Sequence, residues 1–262
     1  MKMEFQFIKH ERSGYISTVT LNRPESLNAL NTGIMEELEQ VSRGFLNDEQ
    51  SRVVVFKGEG KHFSSGADLK QSVSKQSMVM RRRSSALGAR MIRAITEINQ
   101  VTIACIHGAA LGGGACILTA CDFRIGSDDC FCGYPEVNLG INLQWHSLPL
   151  CVRLIGPARA KRMIMLGERE RAETLLEWGF LDQVVPHCEL EEATQRLAEQ
   201  YVAQPPVAVQ MIKQSINAVS GALDNAIMHM DADQNILSAM TEDRDEGMRA
   251  FFEKRDPQFK GN

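Results

Sequence analysis

The chain has 262 residues, 44% of them hydrophobic and 24% charged, with a formal net charge of -4. Such a chain buries a sizeable core without staples, its length leaves one or two domains open, and its slight acidity offers no basic field to nucleic acid. Seven cysteines, an odd number with no C-x-x-C pair, exclude a disulfide framework and a zinc site and point to free thiols in a reducing compartment.

The first stretches alternate, "FQFIKH" and then "YISTVTLN" with "ERSG" between, which predicts a hairpin of two strands. No uncharged apolar run approaches the ~20 residues that a membrane span needs. "MKMEFQFIKHERSG" lacks the apolar core of a signal peptide, so a cytoplasmic protein without membrane contact is expected. "RPESLNALN" is a polar turn entered at Pro24, and Thr32 is expected to cap a helix reaching about Asn47 through Glu36, Leu38 and Val41. "RVVVFKG" predicts a buried strand ended by Gly58, "EGKHFSSGADLK" a loop or short strand, and residues 75–99 a helix. Within that helix Arg81, Arg82, Arg83 and Arg90 form a solvated face or one that helps hold an anionic ligand. No aromatics interleave with them, as readers of single-stranded nucleic acid require.

"VTIACIHG" is a second buried strand, with the glycine triplet of "HGAALGGGACIL" expected directly after it. "DFRIGS" predicts another strand, and residues 144–166 two helical stretches parted at "GPAR". From Glu189 to Phe252 the pattern is helical, broken at "QPPV". Strand–strand–helix units followed by an all-helical tail therefore describe an α/β core with a helical C-terminal extension.

Three glycines between a buried strand and a helix exclude two common readings. A G-x-G-x-x-G dinucleotide loop would need glycine where Ile117 stands, and no G-K-[ST] follows for a phosphate loop. What remains is tight packing, or a backbone that approaches a ligand closely at the positive end of a helix. A second small-residue turn, "HFSSGADLK", places Gly66 and Ala67 beside Asp68. Two such turns could each aim one N–H at the same oxygen. A thioester held that way has an acidic α-carbon and, in an enoyl group, an electrophilic β-carbon.

"LNRPESLNALN", "FSSGADL", "ALGGG", "ACDFRIGS", "PEVNLGI" and "FFEKRDPQF", in that order, resemble the crotonase superfamily, also called the enoyl-CoA hydratase/isomerase family. The resemblance covers nearly the whole chain. It implies a crotonase-like ββα spiral over 1–188 and a helical trimerisation region over 189–262, assembled as trimers or pairs of trimers. It implies an acyl-CoA substrate, with coenzyme A part of that substrate and no separate cofactor or metal. The oxyanion donors carried over are the backbone N–H groups of Ala67 and Gly113. Ser26, Leu27, Asn28 and Ala29, with Ala67, Asp68 and Leu69, resemble the stretches that line coenzyme A. Phe259 and Lys260 resemble a C-terminal pair that reaches the adenine and phosphate, often on a neighbouring subunit.

Two departures stand out. Hydratases of the family use two glutamates; the second is present as Glu136, but Cys116 stands at the position of the first. Cys116 is open to three readings: a small packing residue, a weak proton donor, or a nucleophile, the last needing a base such as His146 or His107. Gln144 stands where some members carry an aspartate and hydratases a glycine; its amide could orient water or substrate, and Trp145 and His146 beside it either shape the acyl pocket or pack in the core or at the surface. The expected chemistry is isomerisation or hydration of an enoyl-CoA with Glu136 moving the proton. The alternatives are a catalytically degenerate acyl-CoA-binding trimer, or an acyl-CoA hydrolase or decarboxylase of the same fold.

Overall fold

The computed structural model describes residues 5–70 and 76–262. The hairpin is formed by β1 (Ile8–Ser13) and β2 (Ile16–Leu21). Residues Glu11 to Ser13, expected in the connection, pair instead as part of β1, so the reversal is confined to Gly14 and Tyr15. Helix α1 (Thr32–Gly44) buries Ile34, Leu38 and Val41 along one stripe. Its cap is Asn31 rather than Thr32: the Asn31 side chain accepts the Ile34 N–H at 2.9 Å from an extended backbone, and Thr32 is already helical.

Strand β3 (Val53–Gly58) follows. The long helix expected over 75–99 is two, α2 (Met78–Ser85) and α3 (Leu87–Thr96), which meet at Ala86; residue 75 lies outside the described residues. The division has a burial cause, because α3 buries seven of its residues and α2 none. After β4 (Val101–Ile106) the chain does not pass straight into the glycines. Strand β5 (Ala109–Leu111) intervenes before α4 (Gly113–Ala120). Strands β6 (Phe123–Ser127) and β7 (Phe131–Gly133) then lead into a 3-10 turn at Pro135–Leu139. Helix α5 (Ser147–Met165) starts later than position 144 and kinks at Gly156 (φ 77°), inside the predicted "GPAR" break. Next come β8 (Arg169–Arg171), α6 (Ala172–Glu177) and β9 (Gln183–Val185). The helical region holds α7 (Leu190–Val202), α8 (Pro206–Ser220), α9 (Asn225–Met228), α10 (Asp231–Ser238) and α11 (Glu242–Glu253).

The main sheet has the order β1-β2-β3-β4-β6-β9, parallel from β2 onward. Its central strands read as continuous apolar runs because both faces are covered. Val54 and Phe56 face a core shared with α1, α3 and α4. Val53, Val55 and Ile103 face Leu190, Ala193 and Ala198 of α7. A smaller layer runs beside it: β5 pairs parallel with β7 and β7 antiparallel with β8. Single parallel bridges extend that layer, Ser64 with Ala110 and Leu30 with Ala67. Successive turns of chain thus give one segment to each layer, β2 and Leu30, β3 and Ser64, β4 and β5, β6 and β7. This is a ββα spiral.

Arg124 of β6 closes the far side of the spiral. Its guanidinium is buried and donates to the carbonyls of Phe180 and Cys121, each at 2.7 Å, and to Asp182 Oδ2 at 3.2 Å. Arg124→Met removes the donor from the buried Phe180 and Cys121 carbonyls, while the exposed Asp182 still accepts the backbone N–H at 124, and is expected to cost about 2–4 kcal/mol, read as a lower urea midpoint with intact secondary structure before the transition.

Candidate active site

The smaller layer builds the site. Three neighbouring parallel segments, at Ser64, at β5 and at β7, each run out at their carboxyl ends into one candidate group: Ala67, Gly113 and Glu136. Crevices beyond the carboxyl ends of parallel strands are where open α/β sheets place ligands.

The first turn is fixed by its neighbours. Leu30 donates its N–H to the Gly66 carbonyl at 2.8 Å, and the Leu30 carbonyl accepts from the Asp68 N–H at 3.1 Å. Those two bonds flank Ala67 and leave its own N–H on the opposite edge. Gly66 has φ +92°, and a Cβ built there would lie 2.6 Å from the Leu111 carbonyl oxygen and 3.4 Å from the Gly113 nitrogen. The two predicted turns therefore meet. Gly113 opens α4, so its N–H is among those with no acceptor inside the helix.

Each glycine of the triplet answers to a different neighbour. Gly112 has φ 51° and ψ -117°, and a Cβ on it would come within 2.8 Å of Glu136 Oε1. On Gly113 it would overlap the Trp145 indole and lie 3.0 Å from Leu30 Cδ1. On Gly114 it would meet the Ser64 Cβ and carbonyl oxygen, each at 2.9 Å. Close packing, one of the two readings left open by the sequence, describes this segment, since each glycine is set by a protein neighbour.

Glu136 sits in the 3-10 turn after β7, with Pro135 starting the turn and Gly140 (φ 68°) ending it. The residue is partly exposed, but its Oε2 is buried with no hydrogen-bond partner. Burial disfavours the charged form, and the carboxyl is pushed up to about 7. Such a group exchanges protons in both directions near neutral pH. Helix α11 packs on this turn at Gly140 and Gly247: a Cβ on Gly247 would lie 2.6 Å from the Leu139 carbonyl carbon. The C-terminal region thus returns to the site.

Cys116 lies 1% exposed in the main core cluster. Burial first, and the Glu136 carboxylate second, push its thiol well above the ordinary range. Six of the seven cysteines are buried and only Cys188 is exposed. Titration of the native protein with an aromatic disulfide is accordingly expected to modify one thiol rapidly and the other six only on unfolding. Gln144 is partly exposed, and its Oε1 accepts from the Ser85 hydroxyl at 3.4 Å at the end of α2. His107 bonds the Gly60 carbonyl at 2.8 Å, which makes it a structural tie.

The stretch of Ser26 to Ala29 lies against the 64–68 turn. Leu27 and Asn28 are both left-handed (φ 53°), and Asn28 braces them by donating to the Glu59 and His62 carbonyls at 2.9 and 2.8 Å. Its side chain is spent on the fold and shapes the stretch without offering a free group. Arg23 clamps the two segments together, donating to the Ala29 carbonyl at 2.6 Å and to Asp68 at 3.2 Å. Ala67 and Leu27 remain exposed and Leu69 partly so. Phe259 and Lys260 are exposed at the far terminus; the backbone N–H of Lys260 donates to Asp243 of α11 at 2.6 Å. Of the arginine face, Arg82 is paired with Asp233 and Arg90 with Glu39.

Sequence reasoning reached Trp145 and His146 as neighbours of Gln144 but not their backbone conformation, and it did not reach Asp231. Trp145 and His146 are consecutive left-handed residues, and Asp231 accepts the His146 N–H at 3.0 Å. Bulky residues avoid that conformation, so nothing in their identity announces it. A cavity of about 940 Å³ between α3, α5 and α8, with Arg93, Lys213 and Ile216 among its walls, is separate from Glu136. Among the described residues no group of three or more His, Cys, Asp or Glu side chains could hold a metal, and no helix is long and apolar enough to cross a membrane.

Comparison with known proteins agrees with this architecture. Residues 11–262 match the family described as enoyl-CoA hydratase/isomerase. The chain is 34% identical over 256 residues to a short-chain-enoyl-CoA hydratase of Clostridium acetobutylicum, covering 97% of each. It is 33% identical over 258 residues to a carnitinyl-CoA dehydratase of Escherichia coli, covering 95% of this chain and 97% of that one. Among solved structures, an enoyl-CoA hydratase from Mycobacterium avium subsp. paratuberculosis K-10 superposes with a TM-score of 0.89 at 26% identity, covering 98% of this chain and all of that one. Sequence and fold agree: the chain is an enzyme of the enoyl-CoA hydratase/isomerase family.

Proposed function

We propose that this enzyme moves a proton on an enoyl-CoA through an enolate of the thioester. The observation that carries the reading is the approach of the Gly66 and Gly113 turns beside a carboxyl held near 7. The N–H groups of Ala67 and Gly113 hold the thioester oxygen, and negative charge collects there as the α-proton leaves. Glu136 takes that proton as a carboxylate and, once protonated, returns it two carbons further along. The double bond of a 3-enoyl-CoA thereby moves into conjugation, and the proton count closes on one residue. Burial holds the Cys116 thiol protonated, which supports a packing role over a nucleophilic one.

A second reading, hydration of a 2-enoyl-CoA, is favoured by the hydratase names of the relatives. There Glu136 activates water toward the β-carbon and the enolate is protonated at the α-carbon. Paired assays decide between the two. A 3-enoyl-CoA that gains conjugated absorbance marks isomerisation, a 2-enoyl-CoA that loses it marks hydration, and activity on neither overturns the proposal.

Coenzyme A is expected along Ser26 to Ala29 and Ala67 to Leu69. Phe259 and Lys260 are assigned to the adenine end on a neighbouring subunit of a trimer or pair of trimers. The apolar side chains exposed over 206–253, among them Met211, Ile216, Leu223 and Leu237, support burial of 189–262 between subunits.

A further inference from the structure

One arrangement that the proton transfer leaves unused is a strained pair of residues carrying an indole against the Gly113 turn. Trp145 and His146 have φ values of 65° and 59°. Strain of this kind in a bulky residue persists only where its surroundings over-determine it. Asp231, at the start of α10, provides that constraint. Its Oδ2 accepts the His146 N–H at 3.0 Å, and the Trp145 N–H also bonds to its carboxylate. The same helix contacts the loop again where the Ser238 hydroxyl donates to Asn142 at 3.4 Å.

The strained backbone directs the indole inward, where it is 7% exposed. A Cβ on Gly88 of α3 or on Gly113 of α4 would overlap the indole, and its Cη2 would lie 2.7 Å from the Cβ on Gly113. Only glycine at both positions admits the ring. The ring therefore stands in contact with the residue whose N–H is assigned to the acyl oxygen.

We propose that Trp145 is the residue that limits acyl length in this site, and that Asp231 is the positioning residue that holds it there. The inference rests on the acyl-CoA reading above. A wide indole fixed between α3 and α4 occupies the volume that a longer chain would fill, so the site takes short acyl groups. Removing the ring opens that volume, and each further methylene of substrate then gains apolar burial. Removing Asp231 frees the left-handed pair and lets the ring leave its slot.

The test is calorimetric binding of butyryl-CoA and octanoyl-CoA, saturated esters that no enoyl chemistry consumes. The wild type is expected to bind the butyryl ester at least tenfold more tightly. Trp145→Ala should raise the octanoyl-to-butyryl affinity ratio by tenfold or more, with Trp145→Phe intermediate should the alanine variant fail to fold. Asp231→Ala should shift the ratio in the same direction, and Asp231→Asn, which keeps an acceptor oxygen, should restore it. A merely structural role would lower the melting temperature and weaken both esters alike. Unchanged ratios in Trp145→Ala and Trp145→Phe would overturn the inference and leave the acyl-CoA reading standing. Failure of the wild type to bind either ester would overturn that reading, and the inference with it.

Discussion

Glu136→Gln is expected to reduce turnover of an enoyl-CoA by about 10²–10⁴-fold, the range for loss of a positioned acid/base. The substitution preserves the shape of the side chain beside Gly112 and removes its capacity to gain and lose a proton. It should also make the protein more stable at alkaline pH, and the sign follows from linkage. Burial raises the folded-state value of Glu136 from 4.5 to about 7, so between those limits the unfolded chain releases a proton that the folded chain retains. Wild-type stability therefore falls as pH rises through that window, by up to about 3 kcal/mol. The glutamine variant lacks this loss, and urea unfolding at pH 5 and pH 8.5 measures it. In the wild type, kcat/KM for proton abstraction should rise with pH through about 7 and then level. An acid limb near 4.5 would mean that the carboxyl is solvated and the burial account is wrong.

Gly66→Ala is expected to have an effect of similar size through the backbone alone. The position holds φ +92°, and the new Cβ would stand 2.6 Å from the carbonyl oxygen of Leu111, which belongs to β5 and cannot swing aside. Relief requires the two turns to part, carrying the Ala67 N–H away from Gly113. Loss of one oxyanion donor costs about 10²–10³ in kcat. The strain itself costs of order 1–3 kcal/mol of stability. The expected signature is a fall in kcat with coenzyme A still bound; unchanged kcat would show that the turns do not cooperate.

The strands and helices with strong periodicity were legible because burial imposes the pattern. Strands β3 and β4 are covered on both faces, and the apolar runs of "RVVVFKG" and "VTIACIHG" show it directly. Strands β5, β7, β8 and β9 were not. Each is three residues long, too short for alternation to register, and each forms because the neighbouring turn of the spiral supplies its partner. The 75–99 pattern concealed a break because Ala86 is an ordinary helix former; what ends α2 there is that α3 has a core to join.

The candidate site shows the same division. Glu136, Ala67 and Gly113 are assigned through the resemblance to the crotonase superfamily, which rests on the motifs around Pro135, Gly66 and the triplet. Asp231 lies 86 residues beyond Trp145 and meets it only through packing of α10. Trp145 and His146 carry no left-handed signature, since glycine or asparagine would be expected there. The three glycines of the triplet looked alike in sequence, and the fold gives each a separate neighbour in Glu136, Trp145 and Ser64.

The proposed chemistry requires two main-chain N–H groups, those of Ala67 and Gly113, to share one thioester oxygen. A crystal structure of the enzyme with a saturated acyl-CoA tests this most directly. The thioester oxygen is predicted to lie about 2.7–3.1 Å from both the Ala67 and Gly113 nitrogens, with the α-carbon facing Glu136. An ester bound with its oxygen in contact with neither nitrogen would contradict it.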